Sequence, residues 1–261
     1  MKLGFLPLFN EMNWASFAIE QGMMLCDKLL IIEGSQFVAF PDIPERSDDG
    51  TLDIISDKQK QYPHRIEVIN TIREHKNYRK NQCANFNLAL NYCEIGDYFV
   101  FLTGDHYFLN GFIPKVNQLM KDGKMDYLSV ELLRFIFGFK WTVGTQPSKL
   151  IFKKVPTLRF YPTARPAGFG SIEVHLDGIS CHHYTWVKPR VRMRMRMRTS
   201  GFYKGMLKWF DENWDSTELS EGKTFTFVCK PYILKKYNGE HPSILDNHPW
   251  RHIEDIREIE K

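Results

Sequence analysis

LGFLPLF (3–9), WASFAIEQGMMLC (14–26) and KLLIIE (28–33) are the stretch that decides the fold class. Two short apolar runs flank a piece long enough for a crossover helix, the pattern of a β-α-β unit with parallel strands. Outward from it the pattern repeats. TLDIISDKQKQ (51–61) reads as helix, RIEVIN (65–70) as strand and NQCANFNLALNYC (81–93) as helix. YFVFL (98–102) is a continuous apolar run of the kind buried on both faces. The alternation lasts to about residue 133, so the expected class is α/β, with a mostly parallel central sheet flanked by helices. After that the character changes. KLIFKKV (149–155) and TLRFYP (157–162), either side of Pro156, read as antiparallel or edge strands. A Pro- and Gly-rich loop is expected at 163–171, a polar-aromatic helix at about 200–214, and a tail with two His-Pro pairs from 238. The expected division is a core over 1–178 and a helical and antiparallel extension over 179–261, whose basic segment completes the site.

The 261 residues suit one α/β domain with at most a small appendage, and 43% hydrophobic with 14% aromatic residues exclude intrinsic disorder. No apolar run is long enough to span a membrane, and the start MKLGFLPLFNEMNW is broken by Pro7 and Asn10, too weak for a secretory signal. Five widely spaced cysteines without a C-x-x-C pair argue against a disulfide framework or a thiolate zinc site. The expectation is a soluble, cytoplasmic chain. Its net charge of +4 conceals an asymmetry. Residues 178–210 hold eight cations and no Asp or Glu, which leaves 27 cations against 31 anions in the rest. The basic character is one local feature, where a partner of opposite charge would be met.

In open parallel sheets, ligands bind beyond the carboxyl ends of the strands. The polar residues there are Asn10-Glu11, Glu33-Gly34-Ser35 and Thr103-Gly104-Asp105-His106. No G-x-G-x-x-G follows the first strand and no G-x-x-x-x-G-K-[ST] occurs anywhere, so a glycine loop does not hold any phosphate.

These residues carry a resemblance. Asn10-Glu11 after the first strand and the acidic-Gly-Ser turn at 33–35 resemble the opening of family 2 and related glycosyltransferases of the GT-A fold. So do Asp49-Gly50-Thr51 opening a helix, R-K-N-x-x-x-N-x-x-L-A-L (79–90), and FLTGD (101–105) ending a buried strand. CHHYTWVKP (181–189) is similar to the H-Y-G-W-V-[RK]-P segment of a bacterial and phage-associated branch, in which a basic helix and a late G-x-H-P follow, here Gly239-Glu240-His241-Pro242. Two departures stand out. The usual D-x-D is Thr103-Gly104-Asp105, and FVAFPDIPERS (37–47) is inserted between Glu33-Gly34-Ser35 and Asp49-Gly50-Thr51.

The resemblance implies a GT-A sheet, a nucleotide sugar (UDP-linked foremost) as donor, and a Mn²⁺ or Mg²⁺ ion neutralising its diphosphate. Asp105 is the expected ion ligand, with His182 or His183 as a second. Asn10, Glu11, Glu33, Ser35, Arg79, Lys80, Asn85, Gly104 and Lys188 are expected around the donor, with Glu33 facing base and ribose and Arg79 and Lys80 meeting phosphate or sugar. An inverting displacement needs a carboxylate to deprotonate the acceptor hydroxyl. Glu131 is the first candidate, then Glu173 and Asp177. Trp186, Trp209 and Trp214 are expected to pack rather than to serve as sugar platforms.

VRMRMRMRTS (191–200) alternates with period two, which favours strand, whereas the resembled family has helix here, and helix is the expectation. Arg190, Arg192, Arg194, Arg196 and Arg198 on an otherwise acidic body are expected to meet a polyanion. Phage enzymes resembling this branch glycosylate hydroxymethylated pyrimidines in DNA, which makes modified DNA one acceptor and host cytoplasm the place for a phage-encoded chain. A surface glycan or lipid-linked saccharide, with peripheral membrane contact through the same residues, is another. The rival reading is a nucleic-acid-binding module that keeps the fold with weak or no catalysis.

Overall fold

The structure is a computed structural model that describes residues 1–37, 40–162, 166–199, 203–227 and 230–260. Outside the described residues lie 38–39 of the expected insertion, 163–165 of the expected loop, 200–202 of the expected 200–214 helix, and Cys229.

The first half follows the expected alternation: β1 (Lys2–Leu8), α1 (Met12–Leu25), β2 (Lys28–Glu33), α2 (Thr51–Gln61), β3 (Ile66–Asn70), α3 (Tyr78–Leu90) and β4 (Tyr98–Phe101). These strands stand in the order β3-β2-β1-β4 and pair in parallel. Their apolar runs are needed on both faces, because α1 and α2 pack on one side and α3 on the other. Phe5 is fully buried, with its ring centroid 4.7 Å from Phe86 of α3. Burial on that scale contributes about 1.5–3 kcal/mol per large side chain.

The second half departs from a mostly parallel sheet. It comprises β5 (His106–Phe108), α4 (Phe112–Lys121), β6 (Tyr127–Ile136), β7 (Trp141–Lys153), β8 (Arg159–Phe160), β9 (Pro166–Ala167) and β10 (Glu173–Trp186). Beyond β4 the order runs β7-β6-β10-β5. β7 is antiparallel to both β4 and β6, β6 is parallel to β10, and β5 is antiparallel to β10. The central sheet is therefore mixed, because β6 and β7 form a hairpin whose second strand inserts beside β4. Pro147 and Gly144 masked the first part of β7 in the sequence. The expected boundary at residue 178 falls within β10.

The chain ends with α5 (Arg190–Arg198), α6 (Tyr203–Asn213), β11 (Thr224–Phe227), β12 (Lys230–Ile233), β13 (Lys235–Lys236) and two short 3-10 helices, Ser243–Leu245 and Ile256–Glu260. Helix wins over strand for the Arg/Met run because i, i+4 spacing buries Met193 and Met197 completely, against Trp186, Trp209 and Trp214. The three tryptophans pack, as expected. Cys26, Cys83, Cys93 and Cys181 are buried and unbridged. Among the described residues no helix is long and apolar enough to cross a membrane.

Candidate functional site

β1 lies between β2 and β4, so chain connections leave it in opposite directions, and a crevice opens at the carboxyl ends of β1 and β4. A cavity of about 280 Å³ occupies it. Its wall takes Leu8 to Glu11 after β1, Gly34 to Gln36 after β2, Tyr78 and Gln82 from α3, and Thr103 to His106 after β4. His183 and Lys188 from the end of β10, and Arg192, Met195, Arg196 and Thr199 from α5, complete it.

Local structure explains each placement. Gly34 has φ +122°, and a Cβ there would lie 2.6 Å from the Glu45 carbonyl oxygen, so the turn after β2 tolerates only glycine. Tyr107 Oη lies 2.9 Å from the Gly104 carbonyl and 3.0 Å from that of Trp14, which share its one proton, and so fixes the 103–107 turn. Thr103 Oγ1 donates to Asp105 Oδ1 at 2.8 Å. His106 and His183 are direct cross-strand partners in the β5–β10 register, with ring centroids 4.3 Å apart and planes at 87°. Asp105 Oδ1 is 3.7 Å from His183 Nε2. One ligand atom from each of Asp105, His106 and His183 lies within 4.8 Å of the others.

The electrostatics suit cation binding. Burial alone would raise the Asp105 carboxyl, but the neighbouring histidines, Lys188 and Arg196 outweigh it and hold the carboxyl well below the usual range. Burial lowers His106, and it pushes His183 down to about 3, reinforced by the neighbouring His106. At neutral pH the set is one carboxylate and two neutral imidazoles, all with lone pairs to offer. The Nδ1 atoms of His106 and His183 are buried without a hydrogen-bond partner.

A second charged group borders the set. Lys188, 3% exposed, donates from Nζ to Glu11 Oε2 at 2.5 Å. Burial raises Glu11, opposed first by the Lys188 charge. Arg196 keeps its charge despite burial because Asp105, Tyr78 and Glu11 stand around it.

The structure brings together Asn10, Glu11, Ser35, Gly104, Asp105, His183, Lys188, Arg192 and Arg196 from the expected residues. Others lie elsewhere. His182 points away, because neighbouring strand residues face opposite sides. Its Nδ1 is 3.0 Å from Tyr184 Oη and its Nε2 3.3 Å from Tyr237 Oη. Glu33 accepts from Ser47 N at 2.7 Å and Arg46 Nε at 2.8 Å, so it clamps the insertion rather than facing base and ribose. Asn85 pins the β3–α3 loop through Ile72 N and Thr71 Oγ1, while Arg79 and Lys80 sit outside the cavity wall, where Tyr78 and Gln82 stand instead.

None of the three base candidates lines the cavity. Glu131 is mid-strand in β6, opposite Pro147. Glu173, at the far end of β10, accepts from Tyr127 Oη at 2.7 Å and Ser129 Oγ at 2.6 Å. Asp177 is exposed at the register shift of β10.

The arginines do not form one cationic face. Arg190 pairs with Asp215 at 3.1 Å, Arg192 with Asp49 at 3.0 Å, Arg194 with Asp211 at 3.4 Å and Arg198 with Asp42 at 2.5 Å. A helix turns successive residues through 100°, sending 190 and 194 to the α6 side and 192 and 196 to the cavity. His106, Tyr78, Gln36 and Gln82 were missed. For His106 the available signal was its position directly after Asp105.

One comparison places the chain in a family. The profile of Glycosyl transferase family 2 matches residues 45–181, more than half of the sequence. No curated protein matches at a significant level. Among solved structures, residues 1–349 of TarS from S. aureus are similar with a TM-score of 0.46 and 12% identity over 81% of this chain and 70% of that one. Glucosyl-3-phosphoglycerate synthase from Mycobacterium tuberculosis, solved with Mn²⁺, UDP and glucosyl-3-phosphoglycerate, is similar with a TM-score of 0.31 and 16% identity over 52% and 44%. With its mixed sheet, strand-end crevice and family match, the chain belongs to glycosyltransferase family 2 and is a glycosyltransferase drawing on a nucleotide sugar.

Proposed function

We propose that the enzyme is divalent-cation-dependent, uses Mn²⁺ or Mg²⁺, and transfers a sugar from a UDP-sugar to an acceptor hydroxyl. One observation carries this reading: Asp105, His106 and His183 converge beside Lys188 and Arg196 in the crevice where a strand-end ligand belongs. The donor set fits such an ion, since a charged carboxylate and two neutral imidazoles converge and two buried ring nitrogens have no other partner. When bound, the cation supplies positive charge against the diphosphate that leaves.

The chain's own residues do the rest. Arg196 presents a guanidinium suited to forked contact with phosphate oxygens, and Lys188 a point charge held in place by Glu11. Tyr78, Gln82, Gln36 and Ser35 line the same cavity and are the side chains it offers to base and ribose. Gly104 lets the chain pass close to Glu11, since a Cβ there would lie 3.3 Å from Glu11 Cγ.

Modified DNA loses the support that suggested it as acceptor, because four of the five arginines pair with the chain's own carboxylates. The same pairing weakens the charge argument for anionic lipid contact and for a nucleic-acid-binding module. The test is a panel of UDP-, GDP-, ADP- and dTDP-sugars with Mn²⁺, read as nucleotide release and as the mass of candidate acceptors, including hydroxymethylated DNA. Release from UDP-sugars that stops in Asp105→Asn supports the reading. Release from no donor, or release unaffected by that substitution, overturns it.

A further inference from the structure

We propose that Arg134 belongs to the acceptor side of the site, and that the acceptor is an anionic molecule whose phosphate or carboxylate group this guanidinium holds. The inference rests on the transferase reading above and names the class of acceptor that the same site takes.

Position comes first. His183 is the register partner of His106 on β5 and of Arg134 on β6, so the three stand in one row across adjacent strands. Register partners project from the same face of a sheet, one strand spacing of about 5 Å apart. His106 and His183 border the cavity, and Arg134 is the next side chain in the row. Its charge is among those that disfavour a proton on His183. A donor in the crevice therefore has Arg134 on the β6 side of the cation set.

Arg134 is also short of partners. A guanidinium has five N–H donors. Nη2 donates to the Val143 carbonyl at 3.2 Å, and Nε is buried without a hydrogen-bond partner. The arginines of α5 differ: Arg192 has Asp49, Arg198 has Asp42, and Arg196 has Asp105 and Glu11 around it. Among the described residues no carboxylate pairs with Arg134. Glu131, three residues earlier on β6, falls on the opposite face by alternation.

Aromatic rings hold the guanidinium instead. Its central carbon lies 5.9 Å from the Trp186 ring centroid and 5.1 Å from that of Tyr232, and the two rings stand at 82° to each other. Ring faces orient a guanidinium without using its N–H donors. A half-buried cation placed in this way lacks the counter-charge that burial calls for, and a forked oxyanion supplies both charge and acceptors. An acceptor held there by its anion lies beside the donor, with its hydroxyl turned to the sugar.

The test is calorimetric, with Tm followed in parallel. The full chain is saturated with UDP, which fills the diphosphate place, and titrated with inorganic phosphate, glycerol 3-phosphate, acetate and uncharged glycerol. Wild type is expected to bind at least one of the anions and not glycerol. Arg134→Gln is expected to weaken that anion about 10–100-fold while UDP affinity is kept. Arg134→Met, which keeps the stem against the rings, is the second variant should the first fail to fold. Binding of the phosphate probes alone supports a phosphorylated acceptor, and comparable binding of acetate supports a carboxylated one. Anion binding unchanged in the Arg134 variants overturns the inference, whether or not their Tm falls, as does anion binding that only Arg196→Ala removes. UDP bound by wild type with no anion bound overturns this inference and leaves the proposed function standing. With no UDP bound by wild type, the proposed function falls and this inference with it.

Discussion

Arg192 Nη1 lies 3.0 Å from Asp49 Oδ2, and that same carboxylate caps two helices. Its Oδ2 accepts Met12 N–H at 3.0 Å at the start of α1, and its Oδ1 accepts Thr51 N–H at 3.0 Å at the start of α2. With its side chain only 1% exposed, Asp49 joins the first turns of α1 and α2 to α5, the wall of the cavity. A cap is worth about 1 kcal/mol, and an uncompensated partly buried cation adds to the loss. Asp49→Ala is therefore expected to cost at least about 2 kcal/mol in urea denaturation, and Arg192→Ala less, since the two capping hydrogen bonds survive it. A loss below about 0.5 kcal/mol for Asp49→Ala would contradict this account of the wall.

Position in the fold sets the carboxylates that line the cavity, Glu11 and Asp105, apart from those outside it. Glu131→Gln, Glu173→Gln and Asp177→Asn change groups outside the cavity, and each is expected to keep transferase activity within about threefold of wild type, in the range of substitutions away from special features. Loss of activity in any of them, with Tm unchanged, would bring that residue back as the base.

The arginine run divides by function. Arg190 and Arg194 make rim ion pairs with Asp215 and Asp211, with both partners about half exposed, so each alanine substitution is expected to cost less than about 1 kcal/mol and to leave UDP affinity intact. Arg196→Ala is expected to weaken UDP more than UMP, because the proposed function sets its guanidinium against the diphosphate. Calorimetric titration with both nucleotides reads the difference, and equal losses for the two would place Arg196 away from the diphosphate.

Four buried histidines, His182, His183, His241 and His248, set an acid limit on stability. His241 and His248 are each pushed down to about 3, first by burial, with the Arg251 charge adding at His241 and the Lys188 charge at His248. Unfolding returns them to the ordinary value near 6.5. Between about pH 6.5 and 3 the unfolded chain therefore binds more protons, and stability falls as pH falls. Each histidine contributes up to about 1.4 kcal/mol per pH unit in that window and nothing further above it. The urea midpoint is expected to drop between pH 7.5 and 5.5, and His248→Gln should flatten the drop. A midpoint independent of pH over this range would refute the claim.

Periodicity made the parallel half legible because β1, β2 and β4 are apolar runs separated by helices of the right length. The mixed half was not, since β7 carries Gly144 and Pro147 and β10 alternates around register shifts that break a period of two. Asp105 was readable as the residue ending a buried strand. His106 was not, because its place beside His183 depends on the β5–β10 register, which exists only in three dimensions. The arginines were readable as a charge cluster but not as ion pairs, whose partners Asp42, Asp49, Asp211 and Asp215 come from other segments. Glu33 was readable as a strand-end carboxylate but not as the partner of Ser47 and Arg46, which the insertion brings back to it.

The most direct test of the central claim is calorimetric binding of UDP to wild type and Asp105→Asn, with and without Mn²⁺, alongside the Tm of both proteins. The account predicts UDP binding that is strengthened by Mn²⁺ in wild type and loses that strengthening in Asp105→Asn, with Tm unchanged or raised. UDP binding indifferent to Mn²⁺ and equal in the two proteins would contradict it.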